Sequence, residues 1–331
     1  MLDRLTRPRG RRLAQLAAAA AALALLLCWL LPLGGGAAPS GRVVLSTGVP
    51  TGVYAKYGSM LRDDLRRDLP EVRVRLLPSQ GSVDNLQRLA DGRASFAIAT
   101  ADAVAAYTGE GRPGAERLRA CARLYDDYMQ LVVPRGSKVR SARDLEGLRV
   151  GVGEDRSGVQ LITRRLLAAA DLDFATDIKA ARVGIDKMTG MLRRGELDAF
   201  FWSGGLPTNA VQDLADVFPV RLVQLGDLAD ALHDQGDRTR YYRAAVMPAD
   251  AYPKVRPGRP VKTIAVANLL VTTDRMDARL TESVTRTVIK SRDHIGEVVH
   301  AAQKVDLRTA VFTDPLELHE GAARYYRSVK P

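Results

Sequence analysis

The sequence predicts an α/β fold of two lobes, each built on a mostly parallel sheet flanked by helices. Strand–helix alternation begins at residue 42, restarts near residue 140, and is followed by a long β-rich run over 263–274. Alternation at this spacing argues for parallel strands joined by helical crossovers. The restart marks a second lobe, and the late run returns the chain to the first. Two extended crossings follow, one near 128–134 and one near 262–272, with a cleft where strand ends converge. A chain of 331 residues is long enough for two cores.

The N-terminus stands apart. Five arginines (Arg4, Arg7, Arg9, Arg11, Arg12) lead into the apolar stretch 13-LAQLAAAAAALALLLCWLLPL-33 and then 34-GGGAAPSG-41. A basic start, an apolar stretch and small residues read as an export signal, cleaved near Ala37 or Ala38. The stretch approaches the length that spans a bilayer, so an uncleaved anchor is the competing reading. Either way the body lies outside the cytoplasmic membrane. Residues 1–40 are therefore leader or anchor, 41–132 plus 264–331 the first lobe, and 133–263 the second.

Each element has its own signal. The β-branched run 42-RVVL-45 is a strand, and 46-STGVPTGVYAKYG-58 turns it into a helix. That helix shows Tyr57, Leu61, Leu65 and Leu69 at helical spacing and stops at Pro70. The period-two run 72-VRVRLL-77 is a strand; 79-SQGSVDNLQRLADGRA-94 is a turn and helix, with Ser82 as N-cap and Gly92 as stop. The apolar 95-SFAIAT-100 is a buried strand, 116-ERLRA-120 a short helix, and 121-CARLYDDYMQLVVPRG-136 strand-rich. In the second lobe Ser141 caps a turn, 148-LRVGVG-153 is a strand and 157-SGVQLITRRLLAAADL-172 a helix. A helical 184-GIDKMTGMLRRGEL-197, the strand and glycine turn 198-DAFFWSGGLP-207, a helix over 208–215 and a strand over 221–225 complete it. Helices over 280–304 and 316–327 follow the return strand.

Composition bounds the chemistry. The chain is 46% hydrophobic and 26% charged, as in a soluble globular body. Net charge is +11, but the first twelve residues supply four of these charges and the rest are scattered, so no nucleic acid partner is expected. Beyond the leader Cys121 is the only cysteine, a buried structural thiol rather than a disulfide partner. The opening loop lacks the Gly-Lys ending of a phosphate loop, and 151-GVGEDRSG-158 has its third glycine displaced and carries Glu154 and Asp155. The four histidines are at least six positions apart, and no Gly-x-Ser-x-Gly occurs. Asp63-Asp64 and Asp126-Asp127 are adjacent pairs that point apart and read as solvated charges. No catalytic residue, cofactor or metal is expected.

What remains is a recurrence of small polar residues where strands run into helices. These are Thr47, Gly48, Thr51 and Tyr54; Ser82 and Asn85; Thr100 and Asp102; Ser157 and Gly158; and Trp202, Ser203, Gly204 and Gly205. Helix starts carry free N–H groups that bind carboxylate as readily as phosphate. The set points to a cleft that holds a small anionic solute. Asp102 is read as a helix cap, with receipt of a ligand amine as the alternative.

These segments resemble the TAXI-type solute-binding proteins of the tripartite ATP-independent periplasmic (TRAP) transporters. The resemblance rests on Thr47-Gly48, Thr51-Gly52 and Tyr54, on 81-GSVDNL-86, 95-SFAIATAD-102, 157-SGV-159 and 195-GELDAFFWSGGLP-207, and on 263-TIAVANLLVTTD-274 and 315-PLELHEGAARYYR-327. Val49 and Val53 stand where that family has Gly and Thr, and Thr100-Ala101 where it has Gln-Ser. The resemblance implies a type II periplasmic-binding fold with a two-segment hinge. It implies a receptor that carries a small carboxylate, a glutamate-like amino acid or a dicarboxylate, to a TRAP-type membrane permease. A ligand-binding sensor subunit, or a hydrolase or transferase on the same fold, are the alternatives.

Overall fold

The computed structural model describes residues 38–255 and 259–329. The apolar leader lies outside these residues; among the described residues no helix is long and apolar enough to cross a membrane.

The chain opens with β1 (Gly41–Ser46), α1 (Val53–Asp68), β2 (Val72–Leu77), α2 (Ser82–Ala90), β3 (Phe96–Thr100) and α3 (Ala101–Gly109). Gly58 lets α1 lie against β1, since a Cβ there would stand 2.5 Å from Thr47 Cγ2. Gly92, at φ +71°, ends the α2 turn as its position predicts. The long strand β4 (Leu118–Pro134) then leads to β5 (Arg149–Gly151), α4 (Gly158–Ala169), β6 (Lys179–Ala181), α5 (Ile185–Arg193) and β7 (Ala199–Gly204). Next come α6 (Asn209–Val217), β8 (Val220–Val223), α7 (Ala229–His233), β9 (Tyr242–Met247) and the second long strand, β10 (Val261–Thr273). The chain closes with α8 (Ala278–Lys290), α9 (Arg292–Gly296), α10 (Leu307–Ala310) and α11 (Glu320–Ser328).

The strands form one hydrogen-bonded path, β2-β1-β3-β10-β4-β7-β5-β6, with β8 on β4 and β9 on β10. Both wings are parallel, β2-β1-β3 and β7-β5-β6, while the central β4 and β10 run antiparallel to each other. The two crossings expected from the sequence are these two strands. β3 and β7 are buried along their whole length, which is why their sequences read as apolar runs instead of alternating.

The apolar core forms four clusters. Two draw their buried members from 43–125 and 269–326, the other two from 128–266. Both long strands change core at a polar step: Asp126 and Asp127 in β4, and Asn268 in β10. The β4–β10 register also slips there, between Ala267 and Leu269. A bulge of this kind re-aims a side chain.

Several local expectations are corrected. The stretch 116–120 is one 3-10 turn, Ala115–Arg117, followed by strand, because Leu118 pairs with Thr273 of β10 and sheet pairing overrides helical propensity. Short β6 and β9 carry no clear alternation and were not anticipated. The helix over 280–304 breaks at Ser291 into α8, α9 and a 3-10 turn. Gly81, not Ser82, is the N-cap of α2. Asp64 and Asp127 are not solvated: Asp64 is buried and paired with Arg67 and His294, and Asp127 is 3% exposed.

Candidate ligand site

Helices begin around one cavity of about 60 Å³, α1, α2 and α4 among them, and the N-caps of α3 (Thr100) and α5 (Gly184) also line it. The loop after β1 brings Gly48 and Gly52 to it, the loop after β2 brings Gly81 and Ser82, and the loop after β5 brings Ser157 and Gly158. Neither α1 nor α2 has a side-chain cap; in α2 the N–H of the third helical residue, Asp84, is taken by a backbone carbonyl instead. In α4, Ser157 Oγ accepts from Gln160 N at 3.1 Å. The starts of α2 and α4 touch: a Cβ on Gly158 would lie 3.0 Å from Ser82 Oγ and 3.4 Å from Thr100 Oγ1. Asp84 N donates to Arg156 O (3.2 Å), and Arg156 Nη2 reaches Asp84 Oδ1 at 3.3 Å.

The strand side is different. Asp127 reaches the cavity from β4, and Asn268 Nδ2 donates to its Oδ1 at 2.7 Å. Tyr54 Oη in turn donates to Asn268 Oδ1 and lies 3.1 Å from Ser82 Oγ, which accepts from Thr100 N at 3.1 Å. A polar chain thus runs from Ser82 through Tyr54 and Asn268 to Asp127. Burial pushes the Asp127 carboxyl up to about 7, with Asp126 and Asp102 adding to the rise and Asn268 opposing it. Burial and Asp127 hold the Tyr54 hydroxyl proton well above the usual phenol range, so Tyr54 stays a donor. Ser203, on β7, lies near enough to help hold the Asp127 charge, yet its buried Oγ makes no hydrogen bond of regular geometry. Glu154 also lines the cavity, its carboxyl raised by burial and by Asp186. The Trp202 ring covers the second-lobe side, held by Nε1 donating to Thr208 Oγ1 at 3.2 Å.

Of the residues singled out in the sequence, Gly48, Tyr54, Ser82, Thr100, Ser157, Gly158, Trp202, Ser203 and Gly204 line this cavity; Thr47, Thr51, Asn85, Asp102 and Gly205 do not. The five that fall elsewhere have other partners or surroundings. Thr47 Oγ1 donates to Leu77 O (3.5 Å), and Thr51 is exposed. Asn85 accepts from Ser46 Oγ and donates to Thr47 O and Ile98 O, fastening α2 to β1 and β3. Asp102 caps nothing: Thr100 is the N-cap of α3, and Asp102 accepts from Tyr242 Oη at 2.6 Å, with Arg165 Nη1 4.0 Å away. Gly205 packs against Ala301, Val53 and Tyr125.

The family model that matches spans residues 45–329. The chain belongs to the NMT1-like family. This NMT1-like chain is similar in fold to an ABC uptake transporter substrate binding protein from Streptococcus pneumoniae with bound histidine. That likeness has a TM-score of 0.51 at 11% identity, over 78% of this chain and 92% of that one. A protein from Bordetella bronchiseptica RB50 has a TM-score of 0.51 at 17% identity, over 88% and 90%. The periplasmic aliphatic sulphonate binding protein SsuA of Escherichia coli has a TM-score of 0.49 at 13% identity, over 88% and 84%. At these identities the two likenesses above 0.5 show the fold alone, the type II periplasmic-binding architecture that the family resemblance implies.

Asp127 is the cavity residue whose environment differs most from the solvated charge that the sequence suggests. The signal for it was present in 124-LYDDYMQLVV-133, where two acids interrupt an apolar crossing strand. Adjacent strand residues do point apart. Asp126 turns to Arg123 and Arg243, and Asp127 to the cavity. Pointing apart does not mean pointing to water.

Proposed function

We propose that this protein is an extracytoplasmic solute-binding receptor that captures a small carboxylate-bearing solute between two lobes and hands it to a membrane transporter. The observation that carries this reading is the meeting of several helix starts, those of α1 and α2 without a side-chain cap, at one small cavity. Such starts offer N–H donors and the positive end of the helix dipole to an anionic group. The moving parts are the lobes expected over 41–132 plus 264–331 and over 133–263, hinged where β4 and β10 change core. The motifs shared with TAXI-type proteins favour a TRAP-type permease as recipient and an amino acid or dicarboxylate as cargo. The apolar N-terminal stretch supplies export or anchorage.

The test is a thermal-shift screen of the purified full chain against amino acids and organic acids. A cleft receptor gains stability by RT ln(1 + [L]/Kd), about 2.7 kcal/mol at a hundredfold excess over Kd. At least one member of the screen is expected to raise Tm in a saturable way. Absence of any saturable shift across both series contradicts the receptor reading.

A further inference from the structure

We propose that Asp127 receives the ammonium group of the solute, so that the cavity takes a small amino acid as its zwitterion in preference to a dicarboxylate. The inference rests on the receptor reading and narrows its cargo.

The side chains that line the cavity include two acids, Asp127 and Glu154, and no Lys, Arg or His. A dicarboxylate would bring two negative charges to two carboxyl groups, with helix starts as its positive pole. An amino acid brings one charge of each sign, and the cavity has a place for each.

Asp127 is poised for a cation that the protein does not supply. The arginines nearest in sequence and across the sheet, Arg123 and Arg243, both bind Asp126. The largest charges acting on Asp127 are those of Asp126 and Asp102, both acidic, and desolvation dominates its environment. Leaving an ionised carboxylate buried without a cation is costly, so a structural role alone would favour Asn at this place. Instead Asn268, opposite the β4 bulge and fixed by Tyr54, holds one carboxylate oxygen in position.

Ser203 Oγ is buried beside Asp127, near enough to help hold its charge, and makes no other hydrogen bond among the described residues. An ammonium carries three N–H donors, and Asp127 and Ser203 together offer acceptors for them. The volume agrees with a small cargo: about 60 Å³ has room for roughly four to six water-sized groups.

The experiment compares matched pairs that differ at the amine: L-alanine with L-lactate, L-aspartate with L-malate, and L-glutamate with 2-oxoglutarate. Each is titrated against the purified full chain and its Asp127→Asn variant, at a pH near 8. The amine-bearing member of at least one pair is expected to bind tenfold or more tightly, and the substitution to remove most of that preference. A second variant, Ser203→Ala, is expected to reduce the preference by less. Equal or tighter binding of the acids lacking the amine overturns the ammonium assignment and leaves the receptor reading standing. So does a preference that survives in Asp127→Asn. If neither member of any pair binds, and the wider screen is silent as well, the receptor reading falls and this inference with it.

Discussion

On the helix side of the cavity, α1, α2 and α4 present backbone N–H groups and glycines that let the two walls close to contact. On the strand side, β4 and β7 present Asp127 and the buried Ser203 beside it. The first is a positive pole made of backbone, the second a negative pole made of side chains. Backbone poles tolerate sequence change and confer little selectivity among anions. A single buried carboxylate is selective, because any bound group that fails to match it leaves a charge uncompensated.

Replacing Asp127 by Asn breaks this contrast most directly. Affinity for an amine-bearing solute is expected to fall by at least tenfold, while the unliganded protein gains stability near pH 8. The folded pKa of about 7 lies above the unfolded value of 3.8, so the folded state holds the proton more tightly. Stability from this group is full at low pH and declines as pH rises from near 4 to near 7. Above that window the loss is no more than about 4 kcal/mol. The Tm advantage of Asp127→Asn, followed from acid to pH 8, should therefore grow with pH; a constant or shrinking difference would count against a buried, strained carboxylate.

The helix side is sharpened by a wedge. Gly158→Val adds a side chain where even a Cβ would lie 3.0 Å from Ser82 Oγ. Calorimetry is expected to show affinity for every ligand, with or without an amine, reduced about tenfold, roughly 1.4 kcal/mol. A selective loss for amines alone would show that the two sides do not act separately. The smallest effect is expected at the rim, where Arg156→Ala removes the half-exposed pair with Asp84. The pair is worth about 0.5–1 kcal/mol at most, and stopped-flow measurements should show the loss as faster ligand release.

The two sides were unequally legible in the sequence. Helix starts announce themselves locally: a strand, a glycine turn and a polar residue at 47–54, 79–82 and 153–158 suffice to place them. Local signals do not say where a side chain at such a junction points. Thr47 and Asn85 look as eligible as Ser82, but the first serves β2 through Leu77 O and the second ties down Thr47 O and Ile98 O. The strand side depends on partners far apart in the chain. Asp127 and Asn268 are 141 positions apart and meet only through the β4–β10 pairing and its bulge. No periodicity in either strand reports that meeting. The long apolar crossings are legible in the sequence; the polar step at which both change core reads there as solvent exposure.

The central claim is tested most directly by the pH dependence of affinity for the tightest-binding amino acid, measured between about pH 5.5 and 8. Asp127 faces Tyr54, Asn268 and Ser203, with Asp126 and Asp102 nearby and Glu154 on the same cavity, so Asp127→Asn is the control that isolates its contribution. An ammonium requires the ionised carboxyl, so affinity should rise with pH toward tenfold per unit below about 7, level off above it, and lose that slope in the variant. An affinity that falls as pH rises, or the same slope with Asn at position 127, would contradict the account.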